Sequence, residues 1–427
     1  MQPQSTRRTA SVAVGFIATV GLLAACSQGG AAADDDVTLT MWSRSATEAY
    51  SAALVDAFNE QSDGVTVELT IIPNDNFDQR LGAAAGANQL PDLLSADVVL
   101  APNYTAQGIY VDITDRLDGL EFTDDLAQAH LVAASLDGAR YAVPHKVDSS
   151  FMFYNKDLFE QAGLDPEDPP LSYDDIYAAA AAVDALGDDV HGFYIGGNCG
   201  GCFAYTTFGN GVAAGEAPVS DDGLTANIDN DAYSDLFALY KRMVDDGLMP
   251  DSALTEDGST WQELFVQGKV GLWPNGSYSI PRLASDADFE WGYAPLTDAS
   301  GAEQGTFVGG DVLGITASSK HADAAWEFIE WTLSEEAQVE IVAKAGDLPV
   351  RTDLADNEYT AADPRVQAVA EGIASGYTPS SRAYGSAFNS PNGPWLAAVR
   401  GAVFGDDAAT ALKEGQAAIQ ALIDEAY

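Results

Sequence analysis

The chain has 427 residues, 47% hydrophobic and 10% aromatic, enough for roughly two or three average domains or one large two-lobed α/β protein. Only 19 Lys and Arg stand against 65 Asp and Glu, and the formal net charge of −46 argues against nucleic acid and anionic lipid surfaces as partners. The same balance favours a neutral or cationic ligand over an anionic one.

Arg7 and Arg8 supply a positive start, and residues 11–25 (SVAVGFIATVGLLAA) form an apolar stretch. It is shorter than the about 20 residues that a membrane span needs, so it reads as an export signal. It closes on Leu23-Ala24-Ala25-Cys26, the pattern of a bacterial lipobox, in which the thiol is alkylated by a diacylglycerol and the signal is cut before the cysteine. Residues 1–25 are therefore expected to be a lipoprotein signal peptide and Cys26 the lipidation site. The Arg pair hints at a twin-arginine signal, but Thr9-Ala10-Ser11 lack the usual bulky hydrophobe. Residues 26–36 are small, polar and acidic and read as a flexible tether.

Beyond the tether, Val37 to Trp42 alternates as a strand. Ser45-Ala46-Thr47-Glu48 forms a capping box, with Tyr50, Leu54 and Phe58 as one helical stripe behind it. A second strand spans 65–72, a helix 77–87, and a short apolar run 93–100. This order implies a parallel sheet with helices on its faces. The alternation then resumes: an extended stretch at 142–154, an Ala-rich helix at 173–186, and a short strand at 192–196. A helix at 231–246 follows, with Phe237, Tyr240 and Val244 on one face. Strands at 269–273 and 312–316 lead into a long helix over 322–344, with Trp326, Ile329 and Leu333 on its core stripe. A last helical stretch runs from Trp395 towards Tyr427.

Cys199 and Cys202 form a CxxC pair in Asn198-Cys199-Gly200-Gly201-Cys202-Phe203. Zinc needs about four ligands, and His130, His145, His191 and His321 show no metal-like spacing. A redox role wants the pair at a strand-to-helix junction, which the pattern does not show. A small disulfide loop is the default for an exported chain. No metal and no cofactor is expected.

Five stretches resemble the carbohydrate-binding extracellular solute-binding proteins of ABC importers, relatives of the maltodextrin-binding protein. They are the lipobox with VTLTMW; Leu90-Pro91-Asp92 with Tyr104 to Gly108; Phe153-Tyr154-Asn155-Lys156-Asp157 through Gly163; Phe265 to Ser277; and Ala324 to Trp331 with Ser334 to Gln338 and Leu348 to Arg351. Their order and spacing fit the family over nearly the whole mature chain. The resemblance implies an α/β, two-lobed periplasmic-binding-protein-like fold, with a ligand cleft between the lobes and multiple hinge crossings. Lobe one would comprise 37–146 plus 312–352, and lobe two 147–311 plus 353–427. Ligand would be held by lobes that close over it. The expected partners are a carbohydrate, an ABC permease and, through Cys26, the membrane; the chain is expected to be a monomer.

A pyranose offers apolar CH faces and a rim of hydroxyls, which call for aromatic rings and planar polar groups at the ends of parallel strands. Trp42 ends the first strand. The resemblance places Asp97, Asp148, Tyr278 and Trp395 at sugar-contacting positions, and Asn198 and Phe203 in a lobe-two contact loop. Trp273 and Asn275 follow the same strand as Tyr278. Gly310 and Asp311 form a tight loop in which backbone could approach ligand. Arg382 and Tyr384 lie in a Ser/Gly-rich loop suited to a cleft rim.

A secreted glycosidase would also use acids and tryptophans, with two carboxylates about 5 to 10 Å apart. No nucleophile elbow, P-loop or GxGxxG fingerprint appears. A binder of peptide or polyamine, and a glycan sensor or adhesin, are the remaining alternatives.

Overall fold

The computed structural model describes residues 36–73, 76–187, 189–362, 364–373 and 376–427. The expected signal segment, Cys26 and all but the last residue of the expected tether lie outside the described residues.

β1 (Val37–Arg44) buries Leu39 and Met41 on one face and leaves Thr38 and Thr40 in solvent, the alternation of a half-covered strand. α1 (Glu48–Gln61) follows a single tight turn, and its stripe of Tyr50, Leu54 and Phe58 is buried. The helix starts at Glu48 without a side-chain cap from Thr47. The Thr47 hydroxyl is drawn instead into buried bonds with Ser43 Oγ (3.0 Å) and Asp311 Oδ2 (3.2 Å). β2 (Val65–Ile72), α2 (Phe77–Ala87) and β3 (Leu93–Asp97) complete the first region, where β1 pairs in parallel with both β2 and β3.

β4 (Val143–Asn155) joins the two parts of the molecule. Its first half lies antiparallel to β8 (Val308–Ile315), and β8 in turn pairs with β3. Its second half, from Ser150, pairs with β6 (Val270–Gly276) and β7 (Trp291–Ala294). The strand order is β2-β1-β3-β8-β4-β6-β5, with β7 also on β4 and β5 (His191–Phe193) parallel to β6. α3 (Tyr173–Asp184), α4 (Gly200–Ala213) and α5 (Asp231–Asp245) belong to the second part, and Ser172 and Asn230 cap α3 and α5. α6 (Ala322–Thr332) returns to the first region and packs on α1; α7 (Pro394–Phe404) and α8 (Ala408–Ala426) pack together and on α5.

Several elements differ from the sequence pattern. The region after the CGGC pair shows no helical signal, because Gly and Thr lower helix propensity. It is nonetheless the 14-residue helix α4, held by the burial of ten of its residues. β8 starts at Val308 rather than Val312, so Gly309, Gly310 and Asp311 are strand and not loop. Gly310 has φ +112 and its Cα faces the Lys146 carbonyl so closely that no Cβ fits. The long helix over 322–344 breaks after Thr332. Buried Gln338 donates to the Thr332 carbonyl and accepts the Val350 N–H (2.7 Å), and the next turns run wider over Glu336–Val342. The C-terminal helix is two helices, with Asp407 capping the second through the Thr410 N–H (3.0 Å).

Candidate ligand-binding cleft

The ends of β1, β3, β8 and β4 meet where the sheet passes from one part to the other. Arg44 is the last residue of β1 and Asp97 the last of β3; Asp311 lies opposite Asp97 in one register and opposite Lys146 in the other. The Arg44 guanidinium donates to Asp97 Oδ2 (2.9 Å) and, through Nε and Nη2, to both oxygens of Asp311 (Nε at 3.3 Å). Asp311 also accepts from Ser95 Oγ (3.0 Å) and is fully buried. Burial alone would push its carboxyl up, but Arg44 outweighs that and holds it below the usual carboxylate range. Burial pushes Asp97 up, and Arg44 offsets this only in part.

Across from this ion-paired group, Asp148 on β4 accepts a hydrogen bond from the Tyr205 hydroxyl (2.6 Å). Burial pushes the Asp148 carboxyl up to about 6, against the pull of Tyr205 and Lys146. Tyr205 lies on α4, and its ring sits 5.3 Å from Phe307 and 6.0 Å from Tyr278. A Cβ on Gly309 would fall 2.7 Å from Asp148 Oδ1 and 3.1 Å from the Tyr205 ring, so glycine there lets the pair cross the strand. Beside it, a cleft of about 280 Å³ is lined by Thr47, Tyr50, Lys146, Tyr278 and Asp347, among others. Lys146 Nζ bonds Asp347 (2.5 Å) and lies 5.0 Å from the Tyr50 ring centre.

Of the residues singled out in the sequence, Asp97, Asp148 and Tyr278 come together here, with Tyr384 close to Asp97. Tyr384 is buried, and burial together with the Asp97 charge raises its phenol. A Cβ on its neighbour Gly385 would touch Leu100, just beyond β3, at 3.1 Å. Asp311 is in the group as the buried anchor of Arg44 rather than as an open contact. Gly310 serves the close pairing of β8 with β4. Trp42 is half-buried, with the Arg80 guanidinium 4.8 Å from its ring centre.

Other expected contacts are core. Trp273 has no exposed surface; its ring stacks on Phe265 (4.9 Å) and packs on Phe153 (5.6 Å), within a strand that is buried along its whole length. Trp395 is also fully buried, among Phe208, Tyr233 and Phe237, and its indole N–H donates to the Gly200 carbonyl (3.1 Å). Phe203 is buried in the same core, and Asn198 is exposed just before the N-cap of α4. Asn275 is buried, with Oδ1 on the Gly276 N–H (2.8 Å). The Arg382 guanidinium lies 4.4 Å from the Tyr427 ring centre, a contact with the C-terminus.

Cys199 and Cys202 are bridged across the first turn of α4, where Cys199 is the N-cap. A strand-to-helix junction from β5 into α4 does exist here, contrary to the sequence pattern. Among the described residues no group of three or more His, Cys, Asp or Glu could hold a metal ion, and no helix is long and apolar enough to cross a membrane.

The sequence does not mark Arg44, Lys146, Tyr205 or Asp347 as site residues. Lys146 had a signal: it lies two residues before Asp148 on one strand, hence on the same face. Tyr205 had none, because α4 itself is hidden.

Residues 53–368 match the family of bacterial extracellular solute-binding proteins. The chain is 26% identical over 373 residues to the diacetylchitobiose binding protein DasA of Streptomyces coelicolor, covering 82% of this chain and 84% of that one. It is 25% identical over 313 residues to the sn-glycerol-3-phosphate-binding periplasmic protein UgpB of Brucella melitensis, covering 69% of each. Among solved structures, the cyclic alpha-maltosyl-1,6-maltose binding protein of Arthrobacter globiformis superposes with a TM-score of 0.77 at 25% identity, over 91% of this chain and 99% of that one. The two-lobed α/β fold is that of these structures, and the chain belongs to the bacterial extracellular solute-binding protein family.

Proposed function

We propose that the protein captures a sugar, in particular an oligosaccharide, in an interlobe cleft and delivers it to an ABC importer. One observation carries this reading: the Asp148 carboxylate accepts the hydroxyl of Tyr205, whose ring packs on Phe307 and Tyr278, and Asp148 lines a small recess that shares Lys146, Tyr278 and Asp347 with an open cleft. Carboxylates accept paired hydroxyls and rings cover CH faces, the two demands of a pyranose. The relatives named for diacetylchitobiose and cyclic maltosyl-maltose support a saccharide.

In this reading lobe one comprises 37–146 plus 312–352 and lobe two 147–311 plus 353–427, joined through β4 and β8. Cys26 carries the lipid anchor on the outer face of the cell membrane, the protein works as a monomer without catalysis, and the Cys199–Cys202 disulfide stiffens the start of α4. Calorimetric titration against an oligosaccharide panel, with each mixture checked for cleavage, tests it. Tight binding without turnover is expected. Cleavage would replace it with a glycosidase, and binding of polyamine or peptide alone would replace the cargo.

A further inference from the structure

The charges around the cleft are unequally matched. Arg44 is bonded to both Asp97 and Asp311, and Lys146 to Asp347. Among the described residues Asp148 has no cation within bonding distance, and its hydrogen bond there is from Tyr205 to Oδ1. Two cations thus face four carboxylates, and neither cation is left over for a ligand's phosphate or carboxylate. An uncompensated, largely buried carboxylate is costly and is relieved by a cation or by protonation.

The groups facing Asp148 come from several elements: Tyr205 from α4, Lys146 from β4, Asp97 from β3, Arg44 from β1 and Tyr278 after β6. Arg44 and Lys146 act from a distance and are held by their own acids. What stands closest is aromatic: Tyr205, with Tyr278 and Phe307 at 6.0 and 5.3 Å from its ring. A carboxylate with no bonded cation among the described residues, edged by a phenol that packs on two further rings, is the chemistry that recognises a protonated amine, since the anion and the aromatic π-systems attract the same charge.

We infer that the cleft prefers an amine-bearing sugar to its neutral or phosphorylated counterparts, with Asp148 as the residue that sets the preference. This rests on the saccharide reading above and narrows it to a cationic amino sugar. It also separates this chain from its relative named for sn-glycerol 3-phosphate, whose ligand is an anion.

The test is titration of the purified protein at pH 7 with a panel of oligosaccharides, each in amine-bearing, N-acetylated and phosphorylated form. The amine form is expected to bind about tenfold tighter than the N-acetylated one, as a desolvated cation–π and ion-pair contact would give, and the phosphorylated form not to bind measurably. Asp148→Asn should erase the ratio between amine and acetylated forms, and lowering the pH from 7 towards 5, through the raised range of Asp148, should shrink it. Equal or tighter binding of the acetylated or phosphorylated form overturns the inference and leaves the saccharide reading in place. A ratio that persists in Asp148→Asn also overturns it. Silence of every saccharide, with the fold intact by circular dichroism, overturns both.

Discussion

The two sides of the strand junction use the same residue type to opposite ends. On one side Asp311 is buried with Arg44, Ser95 and Thr47, and every contact it makes is internal. On the other, Asp148 is tied to one phenol and has no ion-pair partner among the described residues. The first carboxylate is held below the ordinary range and the second is pushed up to about 6. A paired acid builds the frame; the acid without an ion-pair partner among the described residues is the one we propose as a ligand contact. Acid residues at strand ends are therefore not interchangeable as site candidates, and the partner decides which is which.

The sharpest way to break that contrast is to remove the frame. Asp311→Ala leaves the Arg44 guanidinium buried with half its partners, and loss of one member of a buried pair costs about 3–5 kcal/mol. Chemical denaturation should show that loss. A variant as stable as the parent would mean that Asp311 is not the anchor. Trp395→Ala should cost a similar amount, about 3–5 kcal/mol, by opening a cavity under α7. Its ligand affinity, measured on the folded protein, should stay close to that of the parent; a large affinity loss with little change in stability would return Trp395 to the cleft.

Acid should weaken the frame too. His130 and His145 are buried, and burial holds both imidazoles near a pKa of about 4, against 6.5 in the unfolded chain. The unfolded chain then takes up protons first. Stability is full above about pH 6.5 and falls as the pH drops towards 4, by about 1.4 kcal/mol per unit for each group at most. Asp148 works in the opposite sense over part of that range, because its raised pKa lets the folded state bind the proton first. Denaturation midpoints that rise from pH 7 to pH 5 would contradict a net histidine effect.

On the ligand side the effects are smaller. Tyr278→Ala should weaken ligand binding by about 1–3 kcal/mol with little loss of stability, since its ring is half-buried at the edge of the cleft. Calorimetry beside thermal melting separates the two outcomes.

Most of the frame could be read in the sequence because it rests on periodicity. β1, β2, α2 and α5 follow their apolar patterns almost to the residue, and Trp326, Ile329 and Leu333 are buried as their spacing requires. What escaped depends on tertiary contact. α4 is rich in Gly and Thr and is a helix only because the core closes on it, so Tyr205 could not be placed. The tryptophans misled for a related reason: a strand shows which residues share a face but not which face is the cleft. Trp273 and Tyr278 come from one segment, yet the first is core and the second lines the cleft.

The finest test of the contrast concerns the hydrogen bond from Tyr205 to Asp148. The Tyr205 hydroxyl donates to the carboxylate, which favours the ionised form and works against burial. Tyr205→Phe removes that donor and keeps the ring against Phe307 and Tyr278. The pKa of Asp148 should then rise further above its value of about 6. A shift of up to about one unit, or about 1.4 kcal/mol, is the scale of one such bond. The pH at which an amine-bearing ligand loses half its affinity should move upward by that amount. Asp311 titrates below the usual carboxylate range through its own partners, so the stability curve should move only above about pH 4, where Asp148 contributes, and not below it. If the part below about pH 4 moved as well, the two carboxylates would form one coupled network. If neither moved, burial alone would set the charge of Asp148, and Tyr205 would serve only as a wall of the cleft.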